Sequence, residues 1–483
     1  KFYPNFKLVK LEQNYRSSKN IIEAASHVIN NNTERKGKKL WTDNTTGDEI
    51  EVIECLDDRT EADFVAQKVL EIQEIASLND ISVFYRTNSQ SRMLEDSLRK
   101  RQIPYKIVGG IKFYDRKEIK DILSYLKLLC NNKDSLSFSR VINSPPRGFG
   151  AVTLRKLENE AIKEQMSLYE LAFKINDNHE MYAHLKLSQK VKNGIAEFVN
   201  LMEESKILET NREKPSLICQ KIIEESGYLS NLKSSKSYEN QARIDNLKEL
   251  ISAISQYEAV SKSIGGDVSV ENFLESITLN QNIEEEINTE MVSLMTIHSS
   301  KGLEFEYVFI VGVEENIFPS IMSLDEGEHK LEEERRLFYV AMTRAMKKLY
   351  ITCAKGRMLW GKVQFQEPSR FIYEIPENYL VWHQLRKGRS SQKKRTGSYI
   401  DYSDEFSQDI GDFDADEKTY YNAASEEAES TFFEGQSVNH GLYGEGVIVR
   451  TEGAGIDEKV TIKFKQGATK KFLTKYAPIE VIL

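Results

Sequence analysis

Residues 291–313 read MVSLMTIHSSKGLEFEYVFIVGV, two apolar runs separated by a polar elbow. The runs, 292–297 and 307–313, have the length and composition of strands. The elbow holds His298, Ser299, Ser300, Lys301, Gly302, Leu303 and Glu304. Ligands of open α/β sheets bind beyond strand ends, so the elbow is a natural site. Further on, residues 331–351 read LEEERRLFYVAMTRAMKKLYI. At helical spacing Leu337, Val340 and Ala341 form an apolar stripe, and Arg344 continues it one turn on. A guanidinium on a core-facing stripe must be paired, because an unpaired buried charge is costly. It is either one half of a structural ion pair or an arginine that reaches out to neutralise a phosphate. These residues alone leave both readings open.

Around these two segments the chain alternates. In 1–112 a strand over 7–12 ends near Tyr15 and Arg16, and Ser17 or Ser18 caps a helix with Ile21, Ile22, Ala25, Val28 and Ile29 on one face. A strand over 81–86 leads to a helix carrying Leu94 and Leu98, and a third strand covers 104–108. This alternation predicts a parallel sheet with crossover helices. Residues 113–288 are helical in character: Ile119, Ile122, Leu123, Leu126 and Leu129 line one face, and further helices cover 216–225 and 244–260. Strand patterns resume in 289–380, ending with 349–354. The expected architecture is one α/β domain interrupted by a helical insertion. Residues 381–432 carry segregated basic and acidic runs with little apolar content, the pattern of a flexible linker. Short alternating strands in 433–483 (GVIVRT, KVTIKF, KKFLTK, IEVIL) predict a small β-barrel of SH3 or Tudor type.

The chain has 483 residues, 40% of them hydrophobic and 29% charged. It lacks a long apolar run and a signal peptide, so it is expected in the cytoplasm with no membrane partner. Cys55, Cys130, Cys219 and Cys353 are too far apart for a metal site or a disulfide framework and are expected to be reduced core residues. A net charge of −9 excludes a globally basic nucleic-acid binder. Any DNA contact must come from a local groove.

Taken together, residues 291–313 and 331–351 resemble motifs V and VI of superfamily 1 DNA helicases of the UvrD/Rep/PcrA type. LEQNYRSSKNIIEAASHVI (11–29) resembles motif IV, and ISVFYRTNSQSRMLEDSLR (81–99) resembles motif IVa. The resemblance implies a second RecA-like motor lobe with ATP and Mg²⁺ as cofactors. It casts Arg16 and Arg344 as the two γ-phosphate arginines, Tyr15 as the stacking partner of adenine, and Glu304 as acceptor for the ribose hydroxyls. Arg16, at a strand-to-helix junction, is expected beside free helix N–H groups. Single-stranded DNA is expected along Thr296, His298, Arg86, Thr87 and Asn88, with Lys301 either a phosphate contact or solvated. SPPRGFGAVTLRKLE (144–158) resembles the family's duplex-contacting loop, with Arg147, Gly148, Phe149 and Gly150 at the contact and Phe149 replacing an aliphatic residue. VFIVGVEE (308–315) ends in acids like those of Mg²⁺ sites, but the family places its Mg²⁺ ligands elsewhere.

No GxxxxGK[ST] phosphate loop occurs in the sequence. The chain is therefore expected to be the C-terminal part of a 3′-to-5′ helicase, acting on single-stranded and junction DNA in repair or replication. Its partner would be an N-terminal motor lobe, with RNA polymerase a candidate for the C-terminal barrel. One alternative is a helicase–nuclease subunit, which the lack of a nuclease constellation after motif VI disfavours. The other is a DNA- or polymerase-binding protein without motor activity, for which Tyr15, Arg16, Glu304 and Arg344 would have no evident use.

Overall fold

A computed structural model describes residues 12–33, 40–235, 237–280, 290–325 and 327–385, and the C-terminal segments 436–440, 444–452, 459–464, 469–473 and 479–481. Two compact units divide the chain, Lys1–Ile410 and Gly411–Leu483.

Among the described residues the first unit is built on a sheet of eight strands: β1 (Ile50–Asp57), β2 (Ile81–Tyr85), β3 (Tyr105–Ile107), β4 (Val292–Thr296), β5 (Phe305–Ile310), β6 (Ala345–Leu359), β7 (Lys362–Phe365) and β8 (Leu380–Gln384). Seven lie in the order β3-β4-β2-β5-β6-β1-β8. All six pairings along that path are parallel, and only β7 runs antiparallel, as a hairpin on β6. A parallel sheet needs both faces covered. β2 is accordingly buried at every position. Helices α1 (Lys19–Asn30), α2 (Asp58–Gln73) and α3 (Ser91–Lys100) belong to this covering. Val28 of α1 and Ile351 share one apolar cluster, while Val65 of α2, Leu98 of α3 and Phe309 share another.

Ile21, Ile22, Ala25, Val28 and Ile29 are buried in α1 as their spacing predicts. The strand expected over 7–12 falls mostly outside the described residues, and Tyr15 and Arg16 lie in a bend rather than at a strand end. Ser18 stands at the N-cap but its side chain makes no cap bond. The first helical amides are not free for an anion either. The N–H groups of Ser18, Lys19 and Asn20 donate to the carbonyls of Met346, Thr45 and Thr46. β1 and α2 are unassigned in the sequence reading, although Asp57 caps α2 by accepting from the Thr60 N–H.

Between β3 and β4, adjacent in the sheet, the chain leaves to build, among the described residues, nine α-helices: α4 (Lys117–Cys130), α5 (Ser135–Val141), α6 (Ala151–Lys163), α7 (Leu168–Asp177), α8 (Gln189–Thr210), α9 (Pro215–Glu225), α10 (Tyr228–Lys233), α11 (Tyr238–Ser263) and α12 (Val270–Asn280). They enclose their own core, which includes the predicted face Ile119, Ile122, Leu123, Leu126 and Leu129. After β5 come α13 (Ile321–Asp325) and α14 (Glu328–Met342), and α15 (Arg370–Tyr373) precedes β8. β8 pairs with β1 through Gln384, so the domain runs past the expected boundary at 380. The rest of the expected linker lies outside the described residues. Three cysteines are buried as expected, but Cys130 is exposed.

In the second unit β9 (Ser437–His440), β10 (Gly444–Glu452), β11 (Lys459–Phe464), β12 (Thr469–Leu473) and β13 (Ile479–Val481) form an antiparallel sheet in the order β12-β11-β10-β9-β13. Val438, Ile448, Val460, Ile462 and Phe464 make its core. β9 is the strand the sequence reading did not foresee.

Candidate nucleotide and nucleic-acid site

Arg344 is not on a helical stripe. α14 ends at Met342 with Thr343 as its cap, and Arg344 occupies the turn into β6. Its Nε donates to the Val340 carbonyl and its Nη1 to the Leu303 carbonyl, both at 3.2 Å. Those bonds go to carbonyls rather than a carboxylate, and among the described residues Arg344 forms no ion pair. Burial draws the Arg344 pKa down and the neighbouring Arg16 cation adds to this, with Glu304 opposing.

Arg16 reaches the same place from the other end of the sequence. Its Nε is paired with the Glu304 carboxylate, and its Nη1 donates to the Thr343 carbonyl at 3.5 Å. The bend that aims it is fixed by Asn14, whose Oδ1 accepts from the N–H groups of Arg16 and Ser17 at 2.7 and 3.0 Å. Glu304, expected to face ribose, is thus held by Arg16, although half of its side-chain surface stays open. Two guanidinium groups and one carboxylate leave an excess positive charge suited to an anion. Tyr15 is 77% exposed, as a stacking surface must be. Its hydroxyl donates to Gln13 Oε1 at 2.6 Å, and Gln13 Nε2 donates to Asp43 Oδ2 at 2.9 Å. The sequence offered no signal for Gln13 or Asp43.

The second group lies at the ends of β2 and β4. Tyr85 pairs in register with Thr296, so the residues that follow leave the sheet side by side. The Thr296 hydroxyl lies 3.0 Å from that of Ser299 and anchors the turn that exposes His298. Partial burial and the Arg86 cation push the His298 pKa down, with Glu334 opposing. Thr87 is held by Gln90, whose Oε1 accepts from the Arg86 and Thr87 N–H groups at 3.0 and 2.9 Å, and Asn88 is exposed. Lys301 is exposed too. Arg86 does not belong to this open rim. It is 7% exposed and forks onto Glu334, Nε to Oε2 at 2.9 Å and Nη2 to Oε1 at 2.6 Å. A strand-end arginine presents its donors to solvent only if no carboxylate claims them, and this one is claimed.

In the insertion, Arg147 is likewise internal. It is 6% exposed and donates to the carbonyls of Val141, Ile142 and Ser226 and to the Tyr125 hydroxyl. Phe149, at 7%, packs in the helical core. What faces outward is backbone: Gly148, with φ +91°, and Gly150, the N-cap of α6. Arg155 and Lys190 are exposed, and the Lys190 stem lies beside Gly148.

Glu314 and Glu315 do not form a cation site. Glu314 is fully buried and takes Arg357 Nε at 2.6 Å, while Glu315 takes Arg370. No group of three or more metal-ligating side chains occurs among the described residues. No helix among them is long and apolar enough to cross a membrane.

The UvrD-like helicase C-terminal domain family matches residues 9–356, and the PcrA/UvrD tudor domain family matches residues 435–481. A protein of Staphylococcus epidermidis named ATP-dependent DNA helicase PcrA is 38% identical over 99% of this chain and 62% of its own length. One of the same name from Staphylococcus aureus is 37% identical over 99% of this chain and 63% of its own. The chain therefore spans under two thirds of the relatives it matches. Motifs, fold and these matches agree: the chain belongs to the UvrD-like helicase family, in the PcrA-like branch that carries a C-terminal tudor domain.

Proposed function

We propose that this chain is the second motor lobe, helical insertion and C-terminal module of an ATP-dependent DNA helicase that translocates 3′ to 5′ on single-stranded DNA and unwinds duplex in repair or replication. The observation that carries the reading is the meeting of Arg16, Glu304 and Arg344. These three come from distant parts of the sequence and gather a surplus of positive charge at one end of a parallel sheet. ATP is bound against this wall, with Tyr15 on the adenine. Phosphoryl transfer needs charge neutralisation on the transferred group, which two arginines supply. The first lobe would contribute the phosphate loop and the Mg²⁺ ligands; among the described residues no group of three or more metal-ligating side chains occurs. Thr296, His298, Thr87 and Asn88 line the path of the single strand. Gly148 and Gly150 offer backbone N–H groups to duplex phosphates. The tudor module binds protein, with RNA polymerase the candidate, and the assembly works in the cytoplasm.

The test pairs this chain with its phosphate-loop lobe. Arg344→Ala and Arg16→Ala should each lower DNA-stimulated ATP turnover by ~10²-fold or more, while nucleotide binding falls much less. Turnover within about twofold of wild type in both variants would remove the arginines from the reaction.

A further inference from the structure

Glu334 is a buried carboxylate that the chemistry above does not use. It lies on α14, 3% exposed, and both oxygens are occupied. Besides the fork from Arg86, Oε2 accepts from the Ser320 N–H at 3.3 Å and Oε1 from the Ser323 hydroxyl at 3.1 Å. Arg86 passes its remaining Nη1 to the Tyr238 hydroxyl, at the first residue of α11, at 3.0 Å. Removing two charges from water is offset only when geometry and hydrogen bonding are nearly complete. The arrangement therefore fixes position firmly while adding little net stability.

What it fixes runs from Glu334, in the middle of α14, to the C-terminal end of that helix. Arg86 is the residue that leaves β2 beside Thr87 and Asn88, and His298 feels the charges of both Arg86 and Glu334. At the far end, about 12 Å away at 1.5 Å rise per residue, Thr343 receives Arg16 and Arg344 grips the Leu303 carbonyl. The elbow from His298 to Glu304 spans the same interval by another route. Elbow, Arg344, α14, Glu334 and Arg86 thus close a ring that holds both the strand-end rim and the arginine pair.

We propose that Glu334 is a positioning residue that couples the two: through Arg86 it ties the ends of β2 and β4 to α14, so a displacement of Thr87, Asn88 and His298 by DNA is carried along a packed helix to Thr343 and Arg344. The proposal rests on the motor reading given above. Glu334 touches neither nucleotide nor DNA; it sets how far occupancy of one surface moves the other.

The test measures ATP turnover with and without a single-stranded oligonucleotide, the phosphate-loop lobe being present. Glu334→Gln should lose about 10-fold in DNA-stimulated turnover while DNA-free turnover and KM for ATP stay within about twofold. Glu334→Asp, which keeps the charge, should retain more of the stimulation than Glu334→Gln. In the 483-residue chain alone, the His298 ring followed by NMR should titrate lower in Glu334→Gln, because the Arg86 cation is no longer balanced. Unchanged stimulation, equal loss with and without DNA, or an unmoved His298 titration each overturn the coupling role and leave the motor reading standing. Wild-type protein without DNA-stimulated turnover defeats the motor reading, and the coupling with it.

Discussion

Arg16, Arg86, Arg147 and Arg344 all lie outside the interior of an element, yet the fold divides them in two. Arg344 and Arg16 keep partly open guanidinium groups beside each other, whereas Arg86 and Arg147 are consumed inside the protein. The division turns on partners far away in the chain: Glu334 stands 248 residues from Arg86, and Ser226 stands 79 from Arg147. No local pattern could name either, so both were read as surface donors for DNA. The strand-end positions themselves were legible, because β2 and β4 pair where the apolar runs end. Arg147→Ala should therefore act on stability rather than on DNA. It strips a buried donor from three carbonyls and a tyrosine hydroxyl, and unsatisfied acceptors cost about 1–3 kcal/mol each when water cannot replace the partner. A loss on the order of 3 kcal/mol in denaturant unfolding of the insertion is expected, with the preference for junction over single-stranded DNA unchanged in whatever remains folded. An undiminished unfolding midpoint would contradict the buried role.

At the scale of elements, periodicity carried the reading where one face is buried. α1 and α4 each show the apolar face their spacing predicts. It failed at β1, whose neighbours Val52 and Ile53 are both buried, on opposite faces of the sheet, so no alternation survives to be read. The 144–158 segment shows what sequence can and cannot say about a loop. Its glycines could be located from the sequence and stand exposed, but the inward turn of Arg147 and Phe149 was not legible. A specific experiment separates the two contributions. A Cβ built on Gly150 meets nothing within 4 Å, and its φ of −89° suits any residue. Gly150→Ala should fold normally, yet place a methyl group between the α6 N-terminus and an approaching duplex. Junction binding should weaken several-fold while single-strand binding holds, and the difference should shrink as salt rises. Gly148 cannot serve as this probe, because its φ of +91° strains every side chain and its Cβ would press on Lys190. Equal loss on both DNAs after Gly150→Ala would show that the loop does not read duplex.

For the whole molecule the decisive quantity is what one lobe can do by itself. The net charge of −9 gives the chain no general pull on DNA, so the proposed binding would depend on the few groups at the strand ends and the insertion loop. The nucleotide wall is similarly partial. On the proposed reading Arg16, Arg344, Glu304 and Tyr15 would meet the outer phosphate and the base, but the sequence holds no phosphate loop to cradle the inner ones. Phosphoryl transfer is positioning plus charge neutralisation, and half of the positioning yields almost none of the rate. The sheet does not need the other lobe to close its core, since its covering helices and strands come from this chain. The 483-residue chain should therefore express as a folded protein with a cooperative unfolding transition, bind ATP weakly at best, and show no ATP hydrolysis or unwinding above background. Supplying a phosphate-loop lobe in trans should restore some DNA-dependent turnover, and Arg344→Ala should abolish that gain. Hydrolysis by the purified chain alone that Arg344→Ala removes would place a complete phosphate site within these residues, and the division of labour between two lobes would have to be abandoned.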